Sequence, residues 1–353
     1  MAGSPAMYVG VIGHSRVTGL LERELRQPNH AYLLVGPAGV GKATVAKKFA
    51  AALLCPTDGV HGGECRSCRR ITSGNHPDLV VIEPEGASLG VDQIRATVMS
   101  SNMAPVEGDR KIFLIDDAGR MTEAAANALL KTLEEPSSST IFILVAESEE
   151  EFPPTVASRC RVIQFSRVPL AELVAGMVAS GSEVVAAEEA ARVAGGRPGM
   201  ALVIGSGSSL SEFRKFWLDV PHQVRVEPGI GFRLAALAIA ATDPLVEAIE
   251  YRHARLGAET KAQKEKQQRE VKQARKDLLV NGLEILAGFY ADAAAAQFGG
   301  AVRNSDLDAT DFVVVTKSQA TRNAELALDA GLALRRNQRP ALVLANLMVK
   351  LSQ

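Results

Sequence analysis

Net charge is the first thing this chain has little of. Its 39 Lys and Arg stand against 40 Asp and Glu, a formal charge of −1. A surface that is basic overall is thereby excluded, and any nucleic-acid contact has to come from a local patch. Cysteine is scarce as well, with four in 353 residues. In a reducing compartment such thiols point to metal ligation or buried packing before disulfides. The start, MAGSPAMYVGVIGH, has neither the charged region nor the long apolar run of a secretory signal. No stretch reaches the roughly 18 uninterrupted apolar residues that argue for a membrane span. A cytoplasmic protein without membrane contact is the expectation. There is no internal repeat, and the last third holds no catalytic constellation. What remains is 47% apolar and 22% charged residues, ample for packed cores in two or three domains.

The chain is organised around residues 111–160. Ile112 to Ile115 form an apolar run closed by Asp116 and Asp117. That pattern predicts a buried parallel strand with carboxylates at its C-terminal end, where open α/β sheets place their ligands. A helix follows, with Thr122 as N-cap and Ala125, Leu129, Leu130 and Leu133 at three- and four-residue spacing. Pro136 ends it. A second apolar strand, Ile141 to Val145, leads to Ser158-Arg159-Cys160.

Upstream, the apolar run Ala31 to Val35 precedes Gly36-Pro37-Ala38-Gly39-Val40-Gly41-Lys42-Ala43-Thr44 and a helix from about Thr44 to Leu54. This is the P-loop pattern in its strand–loop–helix context. Gly36, Gly39 and Gly41 let backbone N–H groups curl round phosphates, the helix N-terminus favours anions, and Lys42 reaches the β- and γ-phosphates. The position that normally supplies a magnesium-binding hydroxyl is Ala43, and Thr44 points about 100° away on a helix. The bland alternative is a glycine-rich turn without a ligand. Asp116 and Asp117 complete the expected nucleotide set.

Cys55, Cys65 and Cys68, the last two in a CxxC, have structural-zinc spacing. His61 is the best fourth ligand and His76 a weaker one; free thiols in a vestigial knuckle are the alternative. His76-Pro77-Asp78 leads into a strand, Leu79 to Ile82, and Val91, Ile94, Val98 and Met99 mark an amphipathic helix. Strand and helix thus alternate, which argues for a parallel, doubly wound sheet. From about Val168 short helices take over, followed by Gly195-Gly196-Arg197-Pro198-Gly199, and Ser206 to Ser211 is the next linker signal. The rest is helix-forming. Between Lys261 and Lys276 seven Lys or Arg face two Glu, a solvated helix arm with DNA contact as the alternative. Leu278, Leu279, Leu283, Leu286 and Phe289 make a buried stripe.

HAYLLVGPAGVGK, the cysteine knuckle followed by HPD, AAANALLKTLEEP and SRC together resemble the bacterial clamp-loader ATPases of the AAA+ class. The resemblance implies three parts: a RecA-like AAA+ parallel-sheet domain (1–168), a small helical lid (169–207) and an all-α C-terminal collar (208–353). It implies partners, namely the loader's gamma/tau and delta subunits in a hetero-pentameric ring, the sliding clamp and primer–template DNA. It also implies that Arg159 is an arginine finger acting in trans on a neighbour's ATP site, against the alternative of a structural ion pair. Four departures from the motor pattern follow. Ala43 lacks the hydroxyl, Asp117 stands where motors carry Glu, Ala146 stands at the polar sensor, and the lid arginine falls on Gly199. ATP with magnesium is the expected ligand, zinc the expected metal, and hydrolysis is not expected. These departures suggest the non-motor subunit of the loader, a stator. The alternative is an active gamma/tau-like motor. A fourth knuckle cysteine is expected at Gly62, so zinc requires His61.

Overall fold

The structure, a computed structural model, describes residues 6–57, 65–84, 88–204, 208–226, 230–256, 261–304, 306–308 and 310–353. Two compact units emerge: residues 1–181 with 196–200, and residues 182–195 with 201–353.

The first unit is built on five parallel strands: β1 (Ala31–Val35), β2 (Leu79–Ile82), β3 (Lys111–Ile115), β4 (Thr140–Ala146) and β5 (Arg161–Gln164). Their order across the sheet is β2-β3-β4-β1-β5. Helices α1 (Ser15–Glu24), α2 (Lys42–Leu53), α3 (Arg66–Thr72), α4 (Val91–Ser101), α5 (Glu123–Glu134), α6 (Pro154–Ala157) and α7 (Leu170–Ala179) connect or flank them. The continuous apolar runs of β1, β3 and β4 are buried along their whole length, as a sheet covered on both faces requires. Alternation sorts their side chains. Tyr32, Leu34, Ile112, Leu114, Ile141 and Ile143 pack with Leu21, Val45 and Phe49 on one face. Leu33, Phe113, Ile115, Phe142 and Leu144 pack with Ile94, Leu129 and Leu133 on the other. Phe113 and Phe142 are register partners on β3 and β4, with ring centroids 5.3 Å apart. Such a cross-strand aromatic pair contributes about 0.5–1.5 kcal/mol beyond its buried area. The predicted Thr122 cap is present, its hydroxyl accepting from the Ala125 N–H at 3.2 Å.

The second unit is helical: α8 (Val184–Ala194), the end of α9 (Pro198–Ile204), α10 (Ser208–Val226), α11 (Gly231–Ala240), α12 (Asp243–Leu256), α13 (Lys261–Gln297), α14 (Lys317–Arg335) and α15 (Pro340–Leu351). Its core gathers Trp217, Leu279, Leu283, Leu286, Phe289 and Tyr290, all essentially buried. The predicted apolar stripe is therefore the inner face of α13. By hydropathy alone a window within Gln267–Gln297 passes for a membrane span, at mean hydropathy 1.3, yet 67% of it is buried. The basic stretch is the first part of the same helix. Arg275 donates to Asp243 and to the Thr242 hydroxyl, and Lys276 to the Arg335 carbonyl and Asn337, so these two cations serve packing. Of the linker expected at Ser206 to Ser211, residues 206 and 207 lie outside the described residues, and Ser208 to Ser211 instead open α10.

Candidate functional site

Strand β1 delivers loop 36–41 at the C-terminal edge of the sheet, and Gly41 (φ 103) N-caps α2. Gly36 is required by close approach, since a Cβ there would lie 2.3 Å from the Phe165 carbonyl oxygen. Lys42 is only 7% exposed, and its Nζ donates to the carbonyls of Gly36 at 2.6 Å and Pro37 at 2.8 Å. Burial holds this amine below its ordinary pKa, against the opposing pull of the Glu147, Asp116, Asp117 and Glu151 carboxylates. Phosphate oxygens would replace the two carbonyl acceptors. Ala43 is half-buried, while Thr44 is exposed on the next helix position, so the threonine does not stand in for the missing hydroxyl.

Asp116 ends β3 half-buried, and burial together with the neighbouring Asp117 pushes its carboxyl above the usual range. Asp117 is exposed, left-handed (φ 50) and 3.6 Å from Arg120. The acidic pair differs in burial, Asp116 half-buried and Asp117 exposed, and both carboxylates act on Lys42. Ala146 closes β4, also at this edge.

One expectation is corrected. Arg197, not position 199, carries its side chain onto the P-loop. It is 4% exposed, and a Cβ on Gly39 would lie 3.4 Å from its Cδ. Gly199 instead donates its N–H to the Gly39 carbonyl at 3.1 Å. A side chain at 199 would crowd that carbonyl, whose oxygen lies 3.2 Å from its Cβ position. The arginine against the loop therefore stands two residues before the position that the sequence pattern suggested.

Sequence reasoning missed the acidic loop after β4. The Gly36 N–H donates to the Glu147 carbonyl at 3.1 Å, and the Glu147 N–H donates to Glu151 Oε2 at 3.3 Å. Burial raises the Glu151 carboxyl above its ordinary pKa. Its oxygen occupies the space beside Gly119, where a Cβ would come within 1.6 Å. The run Glu149-Glu150-Glu151 was the only trace of this in the sequence.

Arg159 lies at the other edge. It precedes β5, whose Arg161 registers with Tyr32 near the start of β1 while Gln164 registers with Val35 at its end. The P-loop follows Val35, so roughly 13 Å of strand separates the two edges at about 3.3 Å per residue. Arg159 is ion-paired to Glu134 at 2.6 Å and donates to the Thr155 carbonyl at 2.7 Å. The structure brings Gly36, Gly39, Gly41, Lys42, Ala43, Asp116 and Asp117 together and leaves Arg159 apart.

At the knuckle the sulfurs of Cys55, Cys65 and Cys68 all lie within 4.8 Å of one another, with Cys55 and Cys65 at 4.0 Å. Sulfurs on a tetrahedral zinc at ~2.3 Å would be about 3.8 Å apart, so the three thiols fit that ion. Burial, then the Cys65 and Cys55 sulfurs, push the Cys68 thiol up to about 12. A bound cation reverses that preference by stabilising thiolate. His61 lies outside the described residues. Both nitrogens of His76 are engaged, Nδ1 accepting from the Asp78 N–H at 3.1 Å and Nε2 facing the Ser67 hydroxyl at 3.0 Å. The HPD motif has its own use. Asp78, fully buried, accepts from the N–H groups of Val106, Glu107 and Gly108 at 2.6, 2.8 and 3.1 Å.

A parallel sheet in this order, a P-loop after β1, an acidic β3 end and a buried arginine over the loop make an AAA+ fold, here with an all-helical C-terminal unit. Residues 13–169 match the family model described as DNA polymerase III, delta subunit. The chain is 45% identical over 138 residues to DNA polymerase III subunit delta' of Pseudomonas aeruginosa, covering 38% of this chain and 42% of that protein. It is 39% identical over 153 residues to subunit delta' of Bacillus subtilis (42% and 46%). To subunit tau of B. subtilis it is 36% identical over 189 residues (52% and 33%). The chain spans less than half the length of these curated relatives. The resemblance to delta-prime clamp-loader subunits read from the sequence is borne out over the matched portion.

Proposed function

We propose that this chain is the delta-prime subunit of a bacterial DNA polymerase III clamp loader, a stator acting in the cytoplasm. It assembles with gamma/tau and delta subunits in a hetero-pentameric ring and helps load the sliding clamp on primer–template DNA. Its three parts are the AAA+ domain (1–168), the lid (169–207) and the collar (208–353). Arg159 acts in trans, completing a neighbour's ATP site.

The observation that carries this reading is the position of Arg159. It sits at the strand-start edge, too far from its own P-loop to serve it, and exposed enough to meet a neighbour. A guanidinium beside a γ-phosphate stabilises the charge that develops during phosphoryl transfer. At its own P-loop, Lys42 and the N-terminus of α2 suit phosphate, and Asp116 would face the metal. The group supplied when bound is a magnesium-complexed triphosphate. Ala43 offers magnesium no hydroxyl, Ala146 offers no polar contact, and Asp117 turns toward Arg120. Nucleotide binding without turnover is the expected behaviour. Cys55, Cys65 and Cys68, with His61, would hold a structural zinc.

Retention of Lys42 and Arg197 at the loop favours the second reading, an active gamma/tau-like motor. Two measurements separate them. Purified chain with ATP and magnesium binds but does not hydrolyse if it is a stator; turnover that vanishes in Lys42→Ala makes it a motor. In the assembled loader Arg159→Ala cuts ATPase activity and clamp loading, and unchanged rates would remove the trans role.

A further inference from the structure

The Arg159 edge holds a second arginine. A cleft of about 680 Å³ opens there, and its lining includes Asn29, His30, Glu134, Ser158, Arg159 and Arg161. Arg159, in the turn after α6, and Arg161, the first residue of β5, both line this cleft. Cys160 between them packs into the sheet core. Each guanidinium is held by one carboxylate, in opposite ways. Arg159 pairs with Glu134 at 2.6 Å, side chains 33% and 48% exposed. Arg161 pairs with Glu24 at 2.8 Å, and Glu24 is only 14% exposed. The other oxygen of Glu24 accepts from the Tyr32 hydroxyl at 3.1 Å, which itself accepts from the Asn29 N–H at 2.7 Å.

We propose that Arg161 is a second phosphate-contacting arginine of the trans site, and that Glu134 holds Arg159 until a neighbour's polyphosphate displaces it. The proposal rests on the reading of Arg159 as a trans-acting finger. An exposed ion pair is weak and screened by salt, so a more highly charged phosphate with several acceptor oxygens displaces Glu134 readily. The Glu24 pair is different. Its carboxylate is shielded from solvent and fixed by a tyrosine, so Arg161 stays where it is. One bonded Nη2 leaves other N–H donors of that guanidinium for the cleft. Once Glu134 is displaced, two guanidiniums face the cleft beside uncharged Asn29 and Ser158. Arg161 then strengthens ground-state binding of the phosphates, while Arg159 acts on the charge that develops as the γ-phosphoryl group leaves.

The test is steady-state ATP hydrolysis by the loader reassembled with each variant, after sizing confirms that the variant joins the complex. Arg159→Ala is expected to lower kcat tenfold or more. Arg161→Ala should raise the KM for ATP about tenfold with kcat changed less than about twofold, the signature of lost uniform binding. Arg161→Lys, which keeps the charge and loses the fork, should recover only part of that KM. Glu134→Gln removes the competing anion and should lower KM about threefold, an effect that loss of structure would not produce. If Arg159→Ala changes nothing, the trans-finger reading fails. If Arg159→Ala lowers kcat but Arg161→Ala leaves KM unchanged, or Glu134→Gln raises it, the finger stands and this inference is overturned.

Discussion

Asp78→Asn tests the clasp behind the cysteine knuckle. The buried carboxylate accepts three backbone N–H groups from 106–108, at 2.6 to 3.1 Å. Hydrogen bonds to a charged acceptor contribute about 1.5–3 kcal/mol each. Asparagine keeps the shape and one acceptor oxygen, but its amide turns a donor toward donors. With that oxygen in place of Oδ2, which takes two of the three bonds, the Val106 bond is lost and the other two lose their charge assistance, about 3 kcal/mol together, or about 6–12 °C in Tm for a unit of this size. The pH dependence is equally specific. Burial alone would raise this carboxyl; the N–H donors of Val106, Glu107 and Gly108 and the nearby His76 outweigh it and hold the folded pKa below its ordinary value. A group depressed on folding stabilises above its unfolded pKa of about 3.9 and loses that contribution as pH falls through the folded value. The Tm gap between parent and Asp78→Asn should therefore be constant from neutral pH to about pH 5 and narrow below about pH 4. Thermal unfolding of both proteins across this range decides it. A gap under about 2 °C at neutral pH, or one that widens on acidification, would refute the reasoning.

Three further outcomes follow from close contacts. A Cβ at Gly282 would lie 2.0 Å from the Trp217 ring, so Gly282→Ala should destabilise the helical unit by about 3 kcal/mol and change its near-ultraviolet tryptophan signal; an unaltered signal and Tm would contradict the packing. Gly119→Ala should cost about 1–3 kcal/mol by displacing the Glu151 carboxylate, and Glu151→Gly in the same chain should recover most of it; strictly additive losses in chemical denaturation would deny the contact. Chain purified without chelators should contain stoichiometric zinc that Cys68→Ser loses, measured by elemental analysis; a metal-free parent would leave the three sulfurs as buried thiols.

Much of this was legible in the sequence because it depends on local rules. Continuous apolar runs located β1, β3 and β4 to within a residue or so, and Thr122 and Pro136 bracketed α5. What escaped was set by packing between distant segments. Arg197 and Gly199 are two residues apart, and only their meeting with Gly39 decides which one supplies a side chain to the loop. Glu151 reads as surface acid until Gly119 is seen to leave room for it. Asp78 reads as a strand lead-in, yet its partners are 28 to 30 residues away. The basic stretch misled in part, because Arg275 and Lys276 find acceptors on segments that periodicity cannot place beside them.

On the proposed reading of Arg159, the sheet lets the groups that hydrolysis needs differ at one edge without affecting the other. The loop, Ala43, Asp116 and Ala146 gather where the strands end; Arg159, Arg161 and Glu134 gather where β1 and β5 begin. Sites farther apart than about 7–10 Å with no shared partner respond to substitution independently, and about 13 Å of parallel strand lies between these edges. Loss of a hydroxyl at 43 therefore takes nothing from the guanidinium at 159. On the proposed reading each edge is half of a site, and a chain that does not complete one can still complete the other. The residues that hold the Arg159 edge together, Glu24, Tyr32 and Glu134, are accordingly different from those that hold the loop.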